Sequence, residues 1–181
     1  MRKSKLFRIL LVCMILCFGM DSFGMKYPKS IQKRINKALK SSFGTDELSM
    51  GEVNINDINL DAYVGLTKVR LESIINNEEI IGFSTFASSK GKNDLFDYMV
   101  LFDNELKIQQ VVILIYRSSY GGEIMARYWL KQFVGKSNGE NMEFEKDIDS
   151  ISGATISAPE ITKGIKSLSL LMTDLRLKEK I

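Results

Sequence analysis

The chain has 181 residues, of which 45% are hydrophobic and 26% charged, a composition typical of a globular protein with one hydrophobic core. It contains no histidine, and this absence removes the most common metal ligand and general base. Most hydrolase and metalloenzyme mechanisms are therefore disfavoured. The formal net charge of +3 comes entirely from the first 24 residues, so the composition predicts no nucleic-acid partner.

The first 24 residues have the pattern of an export signal. Four basic residues precede the apolar run 9–18, which is far shorter than a bilayer span, and small residues follow at Ser22 and Gly24. We therefore predict a signal peptide over residues 1–24 and an exported protein of the periplasm or cell envelope. An uncleaved membrane anchor is the alternative. Both cysteines lie in this segment, so a cleaved chain would have no disulfide and no thiol chemistry.

The next part of the chain, residues 25–78, is predicted to hold an N-terminal helix and the first strands. Apolar residues recur at helical spacing from Ile31 to Phe43, with basic residues between them, and predict an amphipathic helix that ends near Gly44. We interpret its basic face as solvated surface rather than as a binding site. Residues 45–59 are polar and weakly patterned and are predicted as loop, with at most one short strand at 53–55. The strand predicted after them is 62–71.

The pattern then continues with strands before it changes to helices. Short turns join the predicted strands, which indicates antiparallel neighbours in an open sheet or half-barrel. Because helices follow the strands instead of alternating with them, the predicted class is α+β, with a single domain after the signal. In the last helix, Gly164 is expected to permit a close approach. The predicted strands are 79–87, 98–102 and 106–116, the longest, and the predicted helices are 122–134 and 158–177.

A short stretch near the C-terminus combines an accessible hydroxyl group with a helix start. Gly153 and Ala154 are too small to shield the hydroxyl of Thr155. Ser157, followed three residues later by Glu160, predicts a capping box at the start of the last helix. The unpaired N–H groups and the positive end of that helix favour a phosphate group beside Thr155. A Ser/Gly loop that only caps a helix is the alternative.

These residues resemble a known family. The pattern Asp149-x-x-Ser152-Gly153-Ala154-Thr155 matches the flavinylation motif D-x-x-[ST]-G-A-T of the FMN-binding domain family, found in the G subunit of Rnf complexes and the C subunit of sodium-pumping NADH:quinone reductases. In that family, a separate magnesium-dependent flavin transferase takes FMN from FAD and joins it to the threonine through a phosphodiester. The resemblance implies that Thr155 carries covalent FMN, and that Asp149 belongs to the pattern recognised by the transferase. It covers roughly residues 79–175, within an FMN-binding domain predicted at 79–181.

The family also has a loop, E-T-P-G-L-G, that lies beside the flavin after the long strand. The corresponding loop here is 118–123, in which Ser119 keeps the hydroxyl position and Gly121 keeps a glycine. Ser118, Tyr120 and Glu123 depart from the family pattern. The resemblance therefore implies an intact attachment turn and a changed flavin loop, in which the expected contacts are Ser119, Tyr120 and Gly121.

Aromatic residues lie near this loop in the sequence and are candidates to stack on the flavin ring. Core packing is the preferred interpretation for Tyr116 and Trp129, whereas Tyr120 is equally suited to either role and Tyr128 is a further candidate. Arg117 is a candidate for a phosphate or flavin contact, but a single arginine at a strand end is more often a surface ion-pair partner.

Taken together, these features predict an exported electron-transfer protein with covalent FMN. It would depend on a flavin transferase for maturation and exchange electrons with membrane or envelope partners. Because a flavin brings its own redox chemistry, a chain without histidine suits this role. Two alternatives stay open: a non-redox secreted binding module, and a small flavoenzyme that reduces an organic acceptor. The flavoenzyme would need a substrate domain that a chain of this length does not obviously contain.

Overall fold

The computed structural model describes residues 27–181, which form a five-stranded antiparallel sheet with helices on both faces. Each strand pairs with its neighbours in sequence, in the order β1-β2-β3-β4-β5. The predicted α+β class is confirmed, and the sheet is open rather than a half-barrel. The strands are β1 Ser49–Val53, β2 Lys68–Asn76, β3 Glu79–Lys90, β4 Leu95–Asp103 and β5 Ile108–Ile115.

Two helices cover the two faces of the sheet. Helix α1, Lys29–Phe43, buries Ile35, Ala38 and Leu39 against one face and ends at Gly44, as predicted. Gly44 adopts a left-handed conformation with φ of 74°, and its N–H donates to the carbonyl of Lys40. Helix α3, Ser157–Leu177, packs on the opposite face through the apolar stripe that the sequence predicted. The buried residues of that stripe are Ile161, Ile165, Leu168, Met172 and Leu175.

Helix α3 approaches the sheet closely at Gly164. A methyl group at this position would clash with the hydroxyl of Tyr98 and lie 2.7 Å from Oγ of Ser89. Tyr98 is fully buried, and its hydroxyl shares a hydrogen bond of 3.1 Å with Ser89. The close approach predicted for Gly164 is therefore confirmed, and it sets the distance between the helix and the sheet.

Several predicted strand boundaries are wrong. Residues 62–67 are not a strand: Ala62 ends a 3₁₀ turn, Leu60–Ala62, turns and bends follow over 63–67, and β2 begins only at Lys68. The predicted strand 53–55 is instead β1, which ends at Val53. The longest strand is β3, with 12 residues, rather than β5, with 8. Strand β3 extends through two serines whose hydroxyls both have partners. The hydroxyl of Ser88 donates to Asp97 on β4, and that of Ser89 donates to the carbonyl of Gly65, in the turn before β2.

The predicted helix 122–134 is broken into three short pieces. A 3₁₀ turn at Gly122–Met125 is followed by α2, Arg127–Leu130, and by a second 3₁₀ turn at Lys131–Phe133. Ala126 interrupts the run, because its ψ of 121° is extended. On a continuous helix Ile124 and Trp129 would point roughly 140° apart, whereas in this structure both are buried in the same core. Burial of both side chains therefore overrides local helix propensity.

The predicted signal peptide, residues 1–24, lies outside the described residues. Between residues 27 and 181, no helix combines the length and the apolar character that a membrane crossing requires.

The substitution Gly164→Ala tests the helix contact. We expect it to lower the free energy of unfolding by about 1–3 kcal/mol, the usual cost of an overpacked core. Alanine gains about 1 kcal/mol of helix propensity over glycine, but the added methyl group has no room beside the buried hydroxyl of Tyr98. Urea unfolding measures the change. Lys163→Ala, at an exposed position of the same helix, is the control and should change stability by about 0.5 kcal/mol or less.

A double variant separates steric clash from other causes. Tyr98→Phe removes the hydroxyl that the new methyl group would meet, so the losses from Tyr98→Phe and Gly164→Ala should sum to more than the loss of the double variant. Strictly additive losses would contradict the steric explanation.

Candidate functional site

The attachment turn, residues 151–155, is pinned to the core by two of its side chains. Ile151 and Ala154 are buried, whereas Ser152, Gly153 and Thr155 are exposed. The N–H of Ala154 donates to the carbonyl of Ile151 at 3.2 Å, and the carbonyl of Ala154 accepts from the N–H of Ala158 at 2.9 Å. Gly153 adopts a left-handed conformation with φ of 88°. The turn therefore presents the Thr155 hydroxyl to solvent on a fixed backbone.

Backbone hydrogen-bond donors lie next to the Thr155 hydroxyl in the chain. Within the described part of the chain, the N–H groups of Thr155, Ile156 and Ser157 have no acceptor. They lie at the N-terminal end of α3, where the helix dipole is positive. Farther along the helix, the N–H of Ala158 is already bonded and Pro159 has none, so the donors available to a phosphate come from the turn and the first helical residue.

The predicted capping box is wrong. Helix α3 begins at Ser157 itself, and no side chain of residues 27–181 caps it. The buried hydroxyl of Ser157 lies 2.7 Å from the hydroxyl of Tyr116, which in turn lies 2.6 Å from the carbonyl of Tyr120. Because Tyr116 has one hydroxyl proton and donates it to that carbonyl, Ser157 must donate to Tyr116. Glu160 accepts from Lys163 instead of returning to the helix start.

This pair of hydroxyls joins the flavin loop, residues 118–123, to the start of α3. Gly121 has φ of 86°, and a methyl group there would lie 2.5 Å from the hydroxyl oxygen of Tyr116 and 2.6 Å from that of Ser157. Only glycine fits this contact without strain. The structure therefore brings Gly121 against Ser157 and links Tyr120 to Ser157 through the hydroxyl of Tyr116, while Ser119 is exposed on the same loop. Ser118 accepts from the N–H of Tyr120 and supports the bend.

Trp129 packs in the core and bonds to the backbone of Asp149, the first residue of the flavinylation motif. It is only 1% exposed, and its indole N–H donates to the carbonyl of Asp149 at 2.7 Å. The N–H of Asp149 donates to the side chain of Gln132 at 2.9 Å. These two contacts fix the backbone of Asp149, which is itself an exposed residue. Core packing was the preferred interpretation of Trp129, and it is confirmed.

The other aromatic candidates differ in exposure. Tyr116 is half-buried and packs on Phe96, with 5.6 Å between ring centroids. Tyr120 is 66% exposed, and the ammonium group of Lys92 lies 5.0 Å from its ring centroid. Tyr128 is also exposed. Tyr120 is therefore the aromatic residue of the flavin loop itself, and its ring is accessible.

Arg117 is an ion-pair partner, as the sequence interpretation preferred. Its guanidinium donates to a carboxylate oxygen of Asp97 at 2.5 Å and to the carbonyl of Leu95 at 2.8 Å. The hydrogen bond to Asp97 raises the pKa of Arg117. These partners hold the guanidinium at the end of the sheet.

Sequence reasoning missed the position of Glu123. A methyl group on Gly153 would lie 2.6 Å from the carboxyl carbon of Glu123, so this side chain rests against the attachment turn. In the sequence, Glu123 was only a departure from the final glycine of the family loop. No sequence signal pairs it with Gly153, because the two residues meet only through the fold.

The turn fits a phosphate ester. Its donor set is of the kind that binds phosphate. It consists of an exposed hydroxyl and three adjacent N–H groups that have no acceptor among residues 27–181, beside Gly153, which has no side chain to block an approach. The carboxylate of Glu123 opposes an anion at this position. Because Glu123 is exposed, solvent and salt weaken the repulsion between its carboxylate and a bound anion.

Comparison with known proteins agrees with this geometry. Residues 91–169 match the family described as the FMN-binding domain, and the matched segment contains β4, β5, the flavin loop, the attachment turn and the first part of α3. A search among curated proteins found no match to the chain. The protein is therefore an FMN-binding protein, whose residues 91–169 form a domain of the FMN-binding domain family.

Proposed function

We propose that the protein is an exported electron carrier in which FMN is attached through a phosphodiester to Thr155. The observation that carries the proposal is the attachment turn, which combines an exposed Thr155 hydroxyl with adjacent N–H groups that have no acceptor among the described residues. Bound FMN would supply the redox chemistry, and the chain would hold it and set its exposure.

Attachment needs Thr155 as the nucleophile. Its Oγ would bond to the phosphorus of the FMN half of FAD, the pyrophosphate bond would break, AMP would leave, and the hydroxyl proton would pass to a base of the flavin transferase. The N–H groups of Ile156 and Ser157 would then donate to the phosphodiester oxygens. Asp149 suits recognition by the transferase, because its backbone is held by Trp129 and Gln132 and the residue is exposed.

The flavin loop supports the same location for the cofactor. Tyr116 ties Tyr120 and Gly121 to the first residue of α3, two residues after Thr155. The exposed ring of Tyr120 and the hydroxyl of Ser119 are therefore the groups on this loop that we assign to contact with the flavin.

Export would explain why the attachment is covalent. Outside the cytoplasm a dissociated FMN could not readily be replaced, so a covalent bond would keep the carrier functional. The partners we propose are a flavin transferase and redox proteins of the membrane or envelope.

The signal peptide has a direct test. Export and cleavage after Gly24 should give a mature protein that begins at Met25. N-terminal sequencing of the protein from the envelope fraction measures this, and a chain that still begins at Met1 would favour the anchored alternative.

The substitution Thr155→Val tests the attachment site. Valine keeps the volume of the side chain and removes the hydroxyl, and Thr155 is exposed, so the variant should fold normally but carry no covalent flavin. After co-expression with a flavin transferase, the wild-type chain should gain the mass of one FMN less water and show flavin fluorescence on a denaturing gel.

Ser157→Ala is the matched control for a neighbouring hydroxyl. It removes the donor to Tyr116 and should cost about 1 kcal/mol of stability, yet it leaves the acceptor and the covalent flavin in place. Covalent flavin on the Thr155→Val protein would show that the attachment site is elsewhere. A wild-type chain without covalent flavin, in the presence of an active transferase, would contradict covalent attachment.

Glu123→Gln tests the opposing charge. Because the Glu123 carboxylate lies against Gly153, its removal should raise the rate of flavin attachment by about 2- to 10-fold, corresponding to a partly screened charge interaction of roughly 0.5–1.5 kcal/mol. The gain should shrink as salt is added. Glu140→Gln, an exposed glutamate outside the site, is the control. A slower reaction of Glu123→Gln at every salt concentration would show that the carboxylate assists attachment.

A further inference from the structure

An open cleft of about 760 Å³, the basic cleft, lies between α1 and the broken helical segment 125–134. Residues 109–113 of β5 lie between these two walls. They are not free to pair with another chain, because Val111 and Ile113 are buried and the carbonyls of Ile113 and Leu114 accept from the guanidinium of Arg34. The side chains of the two walls are therefore what the basic cleft offers to a partner.

The charged side chains of the basic cleft all have the same sign. Its lining contains four basic residues and no acidic residue. Within residues 27–181, none of the four forms an ion pair. Two of them, Arg34 and Lys37, come from α1, and the other two, Arg127 and Lys131, come from the opposite wall. The fold therefore joins part of the basic face of α1 to a second basic segment, a feature that the sequence alone did not show.

The charge pattern of α1 does not serve the helix itself. Its sequence, residues 29–43, contains five basic residues and no acidic residue. Lys29, Lys33 and Lys37 follow one another at intervals of four residues, and like charges at this spacing on a helix repel each other. Lys29 also lies in the first turn, where the positive end of the helix dipole disfavours a cation. A pattern that destabilises the helix favours a role in binding a negatively charged partner.

Two large apolar side chains are exposed in the same cleft. Met125 and Val134 both line it and are 45% and 46% exposed. Apolar groups that a partner can cover, together with charged groups at the margin, are the composition of a protein docking surface. The flexible side chain of Met125 can adapt to the shape of a partner.

The basic cleft begins close to the attachment turn. Met125 is two residues from Glu123, a chain distance of at most about 7 Å. The side chain of Glu123 in turn rests against Gly153 of the turn. A protein that occupies the basic cleft would therefore lie beside the turn that carries Thr155.

We propose that the basic cleft is the docking surface for an acidic partner protein that exchanges electrons with the flavin. Carboxylates of the partner pair with the basic residues on the two walls, and apolar side chains of the partner cover Met125 and Val134. The role in electron exchange rests on the proposed function, whereas the docking itself needs no flavin.

Two other occupants fit these observations less well. A second copy of this chain, related by a two-fold axis, would bring the same four cations together. An anionic membrane surface would attract the cations, but a flat bilayer would not fill a concave cleft or cover the apolar side chains that line it. A protein with a protruding acidic region satisfies both the charges and the shape.

The first test measures docking with an acidic probe. The probe is a fluorescein-labelled peptide, Glu-Glu-Leu-Glu-Glu-Leu-Glu-Glu, and fluorescence anisotropy should show saturable binding to the full mature chain that weakens as salt is added. The same peptide with glutamine in place of every glutamate should bind at least about tenfold more weakly.

Two pairs of substitutions locate the binding site. The double variant Lys37→Glu, Lys131→Glu reverses one charge on each wall and should lose at least about tenfold in affinity for the acidic peptide. The matched control, Lys68→Glu with Lys178→Glu, makes the same change in net charge at two exposed lysines outside the basic cleft. It should stay within about twofold of wild type, because exposed charges far from the site are screened.

The second test asks whether the basic cleft lies on the route of electrons. The chain with covalent FMN is reduced and mixed at low salt with the anion ferricyanide or the cation hexaammineruthenium(III). Two ions of either oxidant, each accepting one electron, reoxidise one flavin reduced by two electrons, and the flavin protons pass to solvent. The Lys37→Glu, Lys131→Glu variant should react about 2- to 10-fold more slowly with ferricyanide and faster with hexaammineruthenium(III), and the control pair should change neither rate by more than about twofold.

Several results would overturn the proposal. Peptide binding that both variants weaken equally, or that neither weakens, would show that the basic cleft is not the docking surface. Unchanged rates with both oxidants would separate the basic cleft from electron exchange. Binding to phosphatidylserine vesicles without binding to the peptide would identify a membrane surface, and a wild-type dimer that the cleft variant abolishes would identify a second copy of the chain.

The two tests also separate this proposal from the proposed function. A chain that takes up no FMN would contradict the proposed function and the electron-exchange role, but the peptide would still decide whether the basic cleft binds an acidic partner. A flavin-loaded chain that does not bind the peptide would contradict the docking surface alone.

Discussion

The contact between Gly164 and the buried Tyr98 determines where the attachment turn lies. Helix α3 runs without interruption from Ser157 to Leu177, so its position on the sheet fixes the residues that immediately precede it. The buried side chains of Ile151 and Ala154 anchor the other part of the turn. The Thr155 hydroxyl is therefore presented by the rigid core and not by a free loop, an arrangement that favours a modification requiring a defined nucleophile.

A second constraint is the hydroxyl of Tyr116, which connects the flavin loop to the helix start. It donates to the carbonyl of Tyr120 and accepts from Ser157, so one side chain holds two segments that are about 40 residues apart. Gly121 makes room for this connection, since any side chain there would displace the two hydroxyls. The loop can differ from the family pattern in several residues and still lie beside the attachment turn, because its position depends on Tyr116 and Gly121.

Local sequence patterns were sufficient for the fold class, for α1 and α3, for the close approach at Gly164 and for the recognition of the family. They failed where distant parts of the chain decide the structure. The sequence pattern predicts Ser157 as a helix cap, but in the fold its hydroxyl bonds to Tyr116. The pattern gives Glu123 no special position, but in the fold its carboxylate lies against Gly153. The segment 122–134 has the pattern of one helix, but burial of both Ile124 and Trp129 in one core requires the break at Ala126.

The break at Ala126 also directs the two parts of the segment 122–134 to different places. Before Ala126, Glu123 contacts the attachment turn. After Ala126, Arg127 and Lys131 lie one helical turn apart and line a cleft between α1 and β5. Met125 lines the same cleft and is two residues from Glu123, a chain distance of at most about 7 Å. On a continuous helix, Glu123, Arg127 and Lys131 would lie on one face. The break at Ala126 therefore separates the acidic side chain at the attachment turn from the two basic side chains in the cleft.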